Sequence, residues 1–159
     1  MPLKPLLIAT ALAATLATPA LAEWKRFNEP DGASVAVPRH VFDAPVRRDE
    51  TGTAFSDRSG EIEMVVFSWN NDADHTLRTI ASDLRAEMGG NRDVTYERVG
   101  RSFMVQTGYT RNGDIFYERT EPSADGRRFV TMRLVYPPSR RGDVDRHIKR
   151  IGLSLRAPR

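Results

Sequence analysis

The stretch FMVQTGYTRNGDIFYERTE (residues 103–121) decides the fold class of this 159-residue chain. Two runs rich in β-branched and aromatic residues, 103–111 and 114–121, flank the dipeptide Asn112-Gly113. Asn-Gly between two such runs is the strongest short-range signal for a β-hairpin. A type I′ turn is expected, because both of its central residues need positive φ. The stretch therefore predicts two antiparallel strands joined by a two-residue loop.

A two-residue loop would also fix which residues of the hairpin face each other. Thr107 would lie opposite Glu118, and directly opposed residues share one face of a sheet. If the later strand that contains Arg133 pairs alongside, Glu118 and Arg133 form a partly buried ion pair. One predicted face carries Thr107, Tyr109, Arg111, Phe116 and Glu118, and the other carries Gln106, Thr110, Ile115, Tyr117 and Arg119.

Working outward from the hairpin, short runs of β-forming residues bounded by Gly, Pro, Asn and Asp predict further strands. The segment 38–51 is polar and contains two prolines, so it is predicted to be a surface loop. The run 62–69 is apolar on both faces, which is typical of a strand covered on both sides. The further predicted strands are residues 24–27, 34–37, 53–56, 62–69, 94–99 and 127–136.

Two apolar stripes at helical spacing predict two helices. Asp74 is the expected N-cap of the first helix, residues 75–88, and Gly89-Gly90 its stop. Asp143 is the expected cap of the second helix. Because a hairpin joins the late strands, the predicted class is α+β, a twisted antiparallel β-sheet flanked by two main helices. The stripes consist of Leu77, Ile80, Ala81, Leu84 and Met88, and of Val144, Ile148, Ile151 and Leu155.

Residues 1–22 have the three parts of a secretory signal peptide. The basic residue Lys4 precedes an apolar run, and Ala20-Leu21-Ala22 matches the cleavage pattern of a signal peptidase. The run is shorter than the roughly 20 residues that span a bilayer, so no stable membrane span is expected after cleavage. The sequence thus predicts a cleaved signal peptide at 1–22, a single domain at 23–159, and localisation in the periplasm of a bacterium.

Composition narrows the class of protein further. The chain has no cysteine, which excludes disulfides, thiolate metal sites and cysteine nucleophiles. Its 24 basic and 21 acidic residues are interspersed and leave a net charge of +3. Nucleic-acid binding proteins concentrate basic residues on one face, so no nucleic-acid partner is expected.

Several local patterns follow one another in a fixed order along residues 23–159. They are an aromatic residue, an Asp-Gly turn and a strand ending in proline (27–38), the strand 62–69 before a helix, Thr95-Tyr96-Glu97, Ile115-Phe116-Tyr117-Glu118-Arg119, the strand exit 134–137, and a closing amphipathic helix. In this order they resemble the Mog1/PsbP-like superfamily and its small exported bacterial members. The resemblance implies an α/β/α sandwich that acts as a non-catalytic binding or assembly factor for larger complexes. It implies no catalytic residues.

No motif in the sequence indicates a catalytic, cofactor or metal site. The three histidines lack the spacing of metal ligands. Asn70, Asp72 and Asp74 alternate as at the start of a calcium loop, but His75 and Ala81 stand where that loop needs Gly and Glu. No Gly-x-Ser-x-Gly elbow is present. No catalytic residue, cofactor or metal ligand is therefore predicted.

The leading hypothesis is an exported, non-catalytic binding or assembly-factor domain that contacts a periplasmic protein or an envelope component. Tyrosine and arginine dominate binding hot spots, and both are frequent on the late strands. The candidate partner-binding residues are Tyr109, Arg111, Tyr117, Glu118, Arg119 and Arg133.

Two alternatives belong to other functional classes. The protein could carry a small anionic or lipidic ligand on its arginines and aromatic residues, which an apolar cavity would favour. It could instead be a small hydrolase with Asp72, Asp74 and Glu118 as its carboxylate site. Acid–base catalysis by carboxylates requires the groups to converge in one cleft.

Overall fold

The computed structural model describes residues 23–87 and 92–158. The predicted signal peptide, Met88 and the predicted Gly89-Gly90 helix stop lie outside the described residues. Within them the elements are β1 (Trp24–Asn28), β2 (Ser34–Pro38), β3 (Arg47–Asp49), β4 (Gly52–Ser56), β5 (Glu63–Asn70), α1 (Leu77–Glu87), β6 (Arg92–Val99), β7 (Met104–Thr110), β8 (Ile115–Pro122), β9 (Arg128–Tyr136), a 3-10 turn (Pro138–Arg140) and α2 (Arg141–Ser154).

An antiparallel sheet of seven strands, in the order β3-β4-β5-β9-β8-β7-β6, forms the middle of the structure. The hairpin β1-β2 stands apart from it and packs with α2 on one face, while α1 packs on the other face. This arrangement confirms the predicted α+β class. None of the helices in the described residues is long and apolar enough to cross a membrane.

Apolar side chains fill both sides of the sheet. On the α2 side, Met64 of β5 and Leu134 of β9 pack with Val144 of α2. On the α1 side, the predicted stripe of α1 covers Met104 and Phe129. Within the described residues both helices therefore bury the stripes from which they were predicted. Removal of this apolar surface from water is the main force that holds the helices on the sheet.

The late hairpin forms, but its predicted turn type and register are wrong. Thr107 lies opposite Tyr117, and Glu118 lies opposite Gln106. The loop has three residues, because the N–H of Thr110 bonds the carbonyl of Asp114 at 2.7 Å, and only Gly113 takes positive φ, at 87°. This is the geometry of a type I turn with a glycine bulge. A register shift of one residue exchanges the faces of one strand. Thr107 and Tyr109 therefore share a face with Ile115, Tyr117 and Arg119, and not with Phe116 and Glu118 as predicted.

The segment 38–51 is not the surface loop that its composition predicted. Val41 and Phe42 are buried, because their N–H groups both bond the carbonyl of Pro38 at 3.1 Å and turn the chain towards the core. Residues Arg47–Asp49 form the edge strand β3. Three consecutive exposed polar residues carry no alternation of apolar and polar side chains, and so this strand left no pattern in the sequence.

The predicted N-caps of both helices are also corrected. Asp74 takes a φ of 52° in the loop before α1, and the hydroxyl of Thr76 accepts the N–H of Thr79 at 3.1 Å instead. Asp143 lies inside the first turn of α2 rather than at its cap, and it accepts a bond from Arg140 at 2.9 Å. A carboxylate there still interacts favourably with the helix dipole.

Candidate functional site

A groove of about 560 Å³ runs between α2 and the strands β6, β7 and β8. We call it the α2 groove. Its floor includes Val105, Ile115 and Tyr117 of the sheet, and its wall on the helix side includes Lys149 and Leu153. The helix comes close to the floor at Gly152, where an added Cβ atom would lie 2.5 Å from the hydroxyl oxygen of Tyr117.

A β-bulge in β6 decides which side chains form the other wall of the groove. Val94 pairs with Gly108 and Tyr96 pairs with Thr107, so Thr95 is the extra residue. In a regular strand Thr95 would pair with Thr107, and Tyr96 would face the opposite side of the sheet, because side chains alternate along a strand. The bulge thus places both Tyr96 and Arg98 in the groove wall.

The large apolar side chains that are exposed in the described residues gather at this groove. Tyr96 is 52% exposed and Leu153 is 55% exposed, and both line the groove. Tyr109 is 37% exposed, and its hydroxyl accepts a bond from the groove residue Arg141 at 3.3 Å. A clustering of exposed apolar side chains marks an interaction surface more strongly than single exposed residues do.

The charge at the groove is positive. Arg119 is paired with Glu121 at 2.6 Å, and Arg141 lies 3.5 Å from Asp145. Arg98 and Lys149 also line the groove, and within the described part of the chain no carboxylate oxygen lies within 4.0 Å of either cation. Two cations are therefore available to a ligand.

The phenols of the groove floor add no negative charge. Burial raises the pKa of Tyr117, and the nearby charge of Arg119 lowers it only in part. The pKa of Tyr136 is raised by burial and by its hydrogen bond to Asp145 at 2.7 Å. Both side chains remain neutral at ordinary pH, so the electrostatic potential of the groove is set by its cations.

The predicted partner-binding residues lie in three different places. Tyr109, Tyr117 and Arg119 lie on the α2 side, and Tyr117 and Arg119 line the groove. Arg111 lies in the exposed hairpin loop. Glu118 and Arg133 lie on the opposite face, where they form the predicted ion pair at 2.8 Å.

Glu118 is the centre of a buried charge cluster that the sequence predicted only in part. The Nη1 atom of Arg92 also bonds the Oε2 atom of Glu118, at 3.1 Å, and its guanidinium lies over the ring of Phe116. Only 2% of the Glu118 side chain is exposed. Burial lowers the pKa of Arg92, as does the charge of Arg133, while Glu118 opposes both effects. Both arginines bond the same oxygen, Oε2 of Glu118, so the cluster links β6, β8 and β9.

Asp72, Asp74 and Glu118, the carboxylates of the hydrolase alternative, do not converge in one site. Asp72 and Asp74 are exposed in the loop after β5. That loop leaves the sheet where Asn70 pairs with Arg128, five residues along β9 from the partner of Glu118. Five strand residues span about 16 Å. Among the described residues, no three His, Asp or Glu side chains are placed to hold a metal ion.

Two histidines meet although 107 residues separate them in the chain. The Nε2 atoms of His40 and His147 are 3.1 Å apart, and the ring of Trp24 lies beside His147. The pKa of His147 is lowered by burial first, and then by His40, Arg146 and Arg150. Only the docking of α2 beside β2 brings the pair together, so no spacing in the sequence could have indicated it.

Acidification should therefore destabilise the protein through His147. His147 binds a proton less tightly in the folded state than in the unfolded chain. Its contribution to the free energy of unfolding is therefore fully present at neutral pH and is lost as the pH drops below about 6.5. We expect the midpoint of thermal unfolding to fall between about pH 7.5 and pH 5.5. The variant His147→Gln should show a smaller fall, whereas His75→Gln, away from the pair, should behave as wild type. Equal falls for wild type and His147→Gln would contradict this assignment.

Comparison with known proteins identifies the fold. No family model matches the sequence, and no curated protein matches it by sequence. The solution structure of cyanobacterial PsbP (CyanoP) from Synechocystis sp. PCC 6803 aligns with a TM-score of 0.61 at 12% identity, over 91% of this chain and 98% of that chain. The likeness to PsbP that the local sequence patterns predicted is thus confirmed at the level of architecture, and the chain has a PsbP-like fold.

Proposed function

We propose that this chain is an exported, non-catalytic binding domain of the bacterial periplasm, which holds an acidic and partly apolar segment of an envelope protein in the α2 groove. The observation that carries the proposal is that exposed apolar side chains lie beside cations that form no ion pair within residues 23–87 and 92–158. Tyr96 and Leu153 stand beside Arg98 and Lys149 along one groove.

The chemistry of the groove defines its occupant. Apolar side chains of a partner would bury Tyr96 and Leu153, which water now contacts. Carboxylates of the same segment would pair with Arg98 and Lys149, which supplies orientation and faster association more than affinity. Aromatic and arginine side chains at the centre of such a surface are the usual sources of binding energy.

Two sequence features support the cellular context of the proposal. Residues 1–22 have the composition of a secretory signal peptide, which would deliver residues 23–159 to the periplasm. The resemblance to the Mog1/PsbP-like superfamily implies a binding or assembly role without catalysis, and the separation of Asp72 and Asp74 from Glu118 agrees with such a role.

Selection of displayed peptides against the purified domain tests the proposal. Peptides are selected on wild type alone, and their binding is then measured to Lys149→Glu/Leu153→Asp, which changes two exposed groove residues. We expect the survivors to combine acidic with aromatic or aliphatic residues. Their affinity should fall at least about tenfold in the double variant and should weaken as salt screens the charges.

The matched control is Arg78→Glu, which reverses an exposed charge on α1, on the far side of the sheet. This variant should bind the selected peptides as wild type does. Survivors that are basic, or that bind the double variant unchanged, would contradict the proposal.

A carrier of a small anionic or lipidic ligand is the second candidate for the same groove. Its volume of about 560 Å³ falls within the range of small-molecule pockets. Extraction of the purified protein followed by mass spectrometry separates the two functions. A stoichiometric fatty acid or other anion would favour the carrier, and its absence together with selected peptides would favour the protein partner.

A further inference from the structure

The two histidines that meet beside β2 lie outside the α2 groove, and we call them the histidine pair. His40 is exposed in the turn that follows β2, and His147 is half-buried on α2. Their Nε2 atoms approach to 3.1 Å in a contact that is open to solvent. The function proposed for the groove makes no use of this contact.

The geometry of the histidine pair is not that of a straight hydrogen bond between two imidazoles. In a straight N–H···N bond of this length both ring axes lie along the line between the nitrogens, which places the ring centroids about 5.4 Å apart. The centroids of His40 and His147 are 4.9 Å apart. At least one ring axis is therefore inclined to the line that joins the two nitrogens.

The same two distances fit a metal ion that both rings share. Imidazole nitrogens bind such ions at about 2.0–2.1 Å. With both Nε2 atoms at that distance, the observed 3.1 Å separation corresponds to an N–metal–N angle of about 98° and a centroid separation of about 4.8 Å. The observed centroid separation of 4.9 Å agrees with this value, so the pair is already in the geometry of two ligands of one ion.

The composition of the pair selects the class of metal. Ca²⁺ and Mg²⁺ prefer oxygen ligands, and among residues 23–87 and 92–158 no carboxylate joins the two imidazoles to make a group of three ligands. Arg146 and Arg150 add positive charge near His147, which disfavours a cation that is held by charge alone. Imidazole suits late first-row transition metals, and among these the affinity of a given site is highest for Cu²⁺.

We propose that the histidine pair binds one divalent transition-metal ion through the Nε2 atoms of His40 and His147, and that Cu²⁺ binds most tightly of the first-row series. Water completes the coordination of the ion. The ion links the turn after β2 to α2, two segments that are brought together only by folding. The site is independent of the α2 groove and of the function proposed for it.

Trp24 provides an optical signal for this site. Its ring centroid lies 5.8 Å from that of His147. The other tryptophan of the chain, Trp69, stacks on Phe129 on the α1 side of the sheet. Because Cu²⁺ quenches tryptophan fluorescence at short range, occupation of the site should quench Trp24 much more than Trp69.

Titration of the purified full chain, prepared without a histidine tag, tests the proposal. We expect one equivalent of Cu²⁺ to bind with a dissociation constant in the micromolar range, since two ligands supply about half of the binding free energy of a four-ligand site. The fluorescence of Trp24 should fall in step with binding. Zn²⁺ should bind more weakly, and at saturation it should raise the midpoint of thermal unfolding by several degrees, because only the folded state holds both ligands together.

Variants link the binding to the two nitrogens. His40→Gln removes a ligand from an exposed turn and should weaken Cu²⁺ binding at least about tenfold, and His147→Gln should do the same. The exposed position of His40 keeps the test decisive if His147→Gln unfolds. His75→Gln is the matched control, because this histidine lies beside Trp69, and it should bind as wild type. Failure to bind one equivalent of Cu²⁺, unchanged affinity in His40→Gln, or equal competition by Ca²⁺ would overturn the proposal.

Discussion

Replacing Glu118 with alanine is expected to lower the free energy of unfolding by about 3–5 kcal/mol, the cost of removing one partner of a buried ion pair. Glu118 is 2% exposed and bonds both Arg133, at 2.8 Å, and Arg92, at 3.1 Å. Its removal leaves Arg92, with only 11% of its side chain exposed, beside a second positive charge. Equilibrium unfolding in urea measures the loss.

Two further variants separate the buried charge from the loss of side-chain volume. Glu118→Leu/Arg92→Met replaces the buried part of the cluster with apolar groups, and it should recover most of the stability that Glu118→Ala loses. Glu63→Ala, an exposed position on β5, should change stability by less than about 0.5 kcal/mol. A loss below about 1 kcal/mol for Glu118→Ala would mean that both arginines reach water, and the cluster would not be a buried one.

In this cluster one ion pair could be predicted from the sequence and the other could not. The pairing of Glu118 with Arg133 requires that β8 and β9 are neighbours, which the hairpin pattern of the late strands indicates, and that their register places the two residues opposite each other. Arg92 could not be predicted, because its position depends on the bulge at Thr95 and on the register between β6 and β7. A register error of one residue is enough to exchange faces, and the turn geometry and any bulge set that register.

The helices could be predicted from the sequence, whereas the α2 groove could not. The buried stripes of α1 and α2 follow from local spacing, and so they were predictable. The α2 groove exists only when α2 docks on the sheet and the bulge turns Tyr96 and Arg98 towards it. The predicted helix caps were wrong because a neighbouring group takes the place of each aspartate. Thr76 caps α1 instead of Asp74, and the 3-10 turn leads directly into α2 before Asp143. Tertiary contacts settle such competition, and a single sequence does not contain them.

Substitution of Gly108 by alanine should have the second large effect, on stability and on binding together. An added Cβ atom would lie 1.8 Å from the carbonyl oxygen of Asp93 and 3.0 Å from the backbone nitrogen of Thr95. These are backbone atoms of the bulge, so no side chain can move aside, and β6 must separate from β7. We expect a loss of about 3 kcal/mol or more in urea unfolding, in the range reserved for severe backbone or packing conflicts.

The same displacement would move Tyr96 and Arg98 out of the α2 groove, so the peptides selected on wild type should bind Gly108→Ala at least about tenfold more weakly at a temperature where it stays folded. Gly142→Ala is the matched control. It adds the same methyl group to α2 where no atom lies within 4 Å, and should raise stability by about 0.5–1 kcal/mol. Wild-type stability in Gly108→Ala would show that β6 can shift without cost. In that case the bulge would not be what places Tyr96 and Arg98 in the groove wall. Their own side-chain contacts would have to fix both residues there.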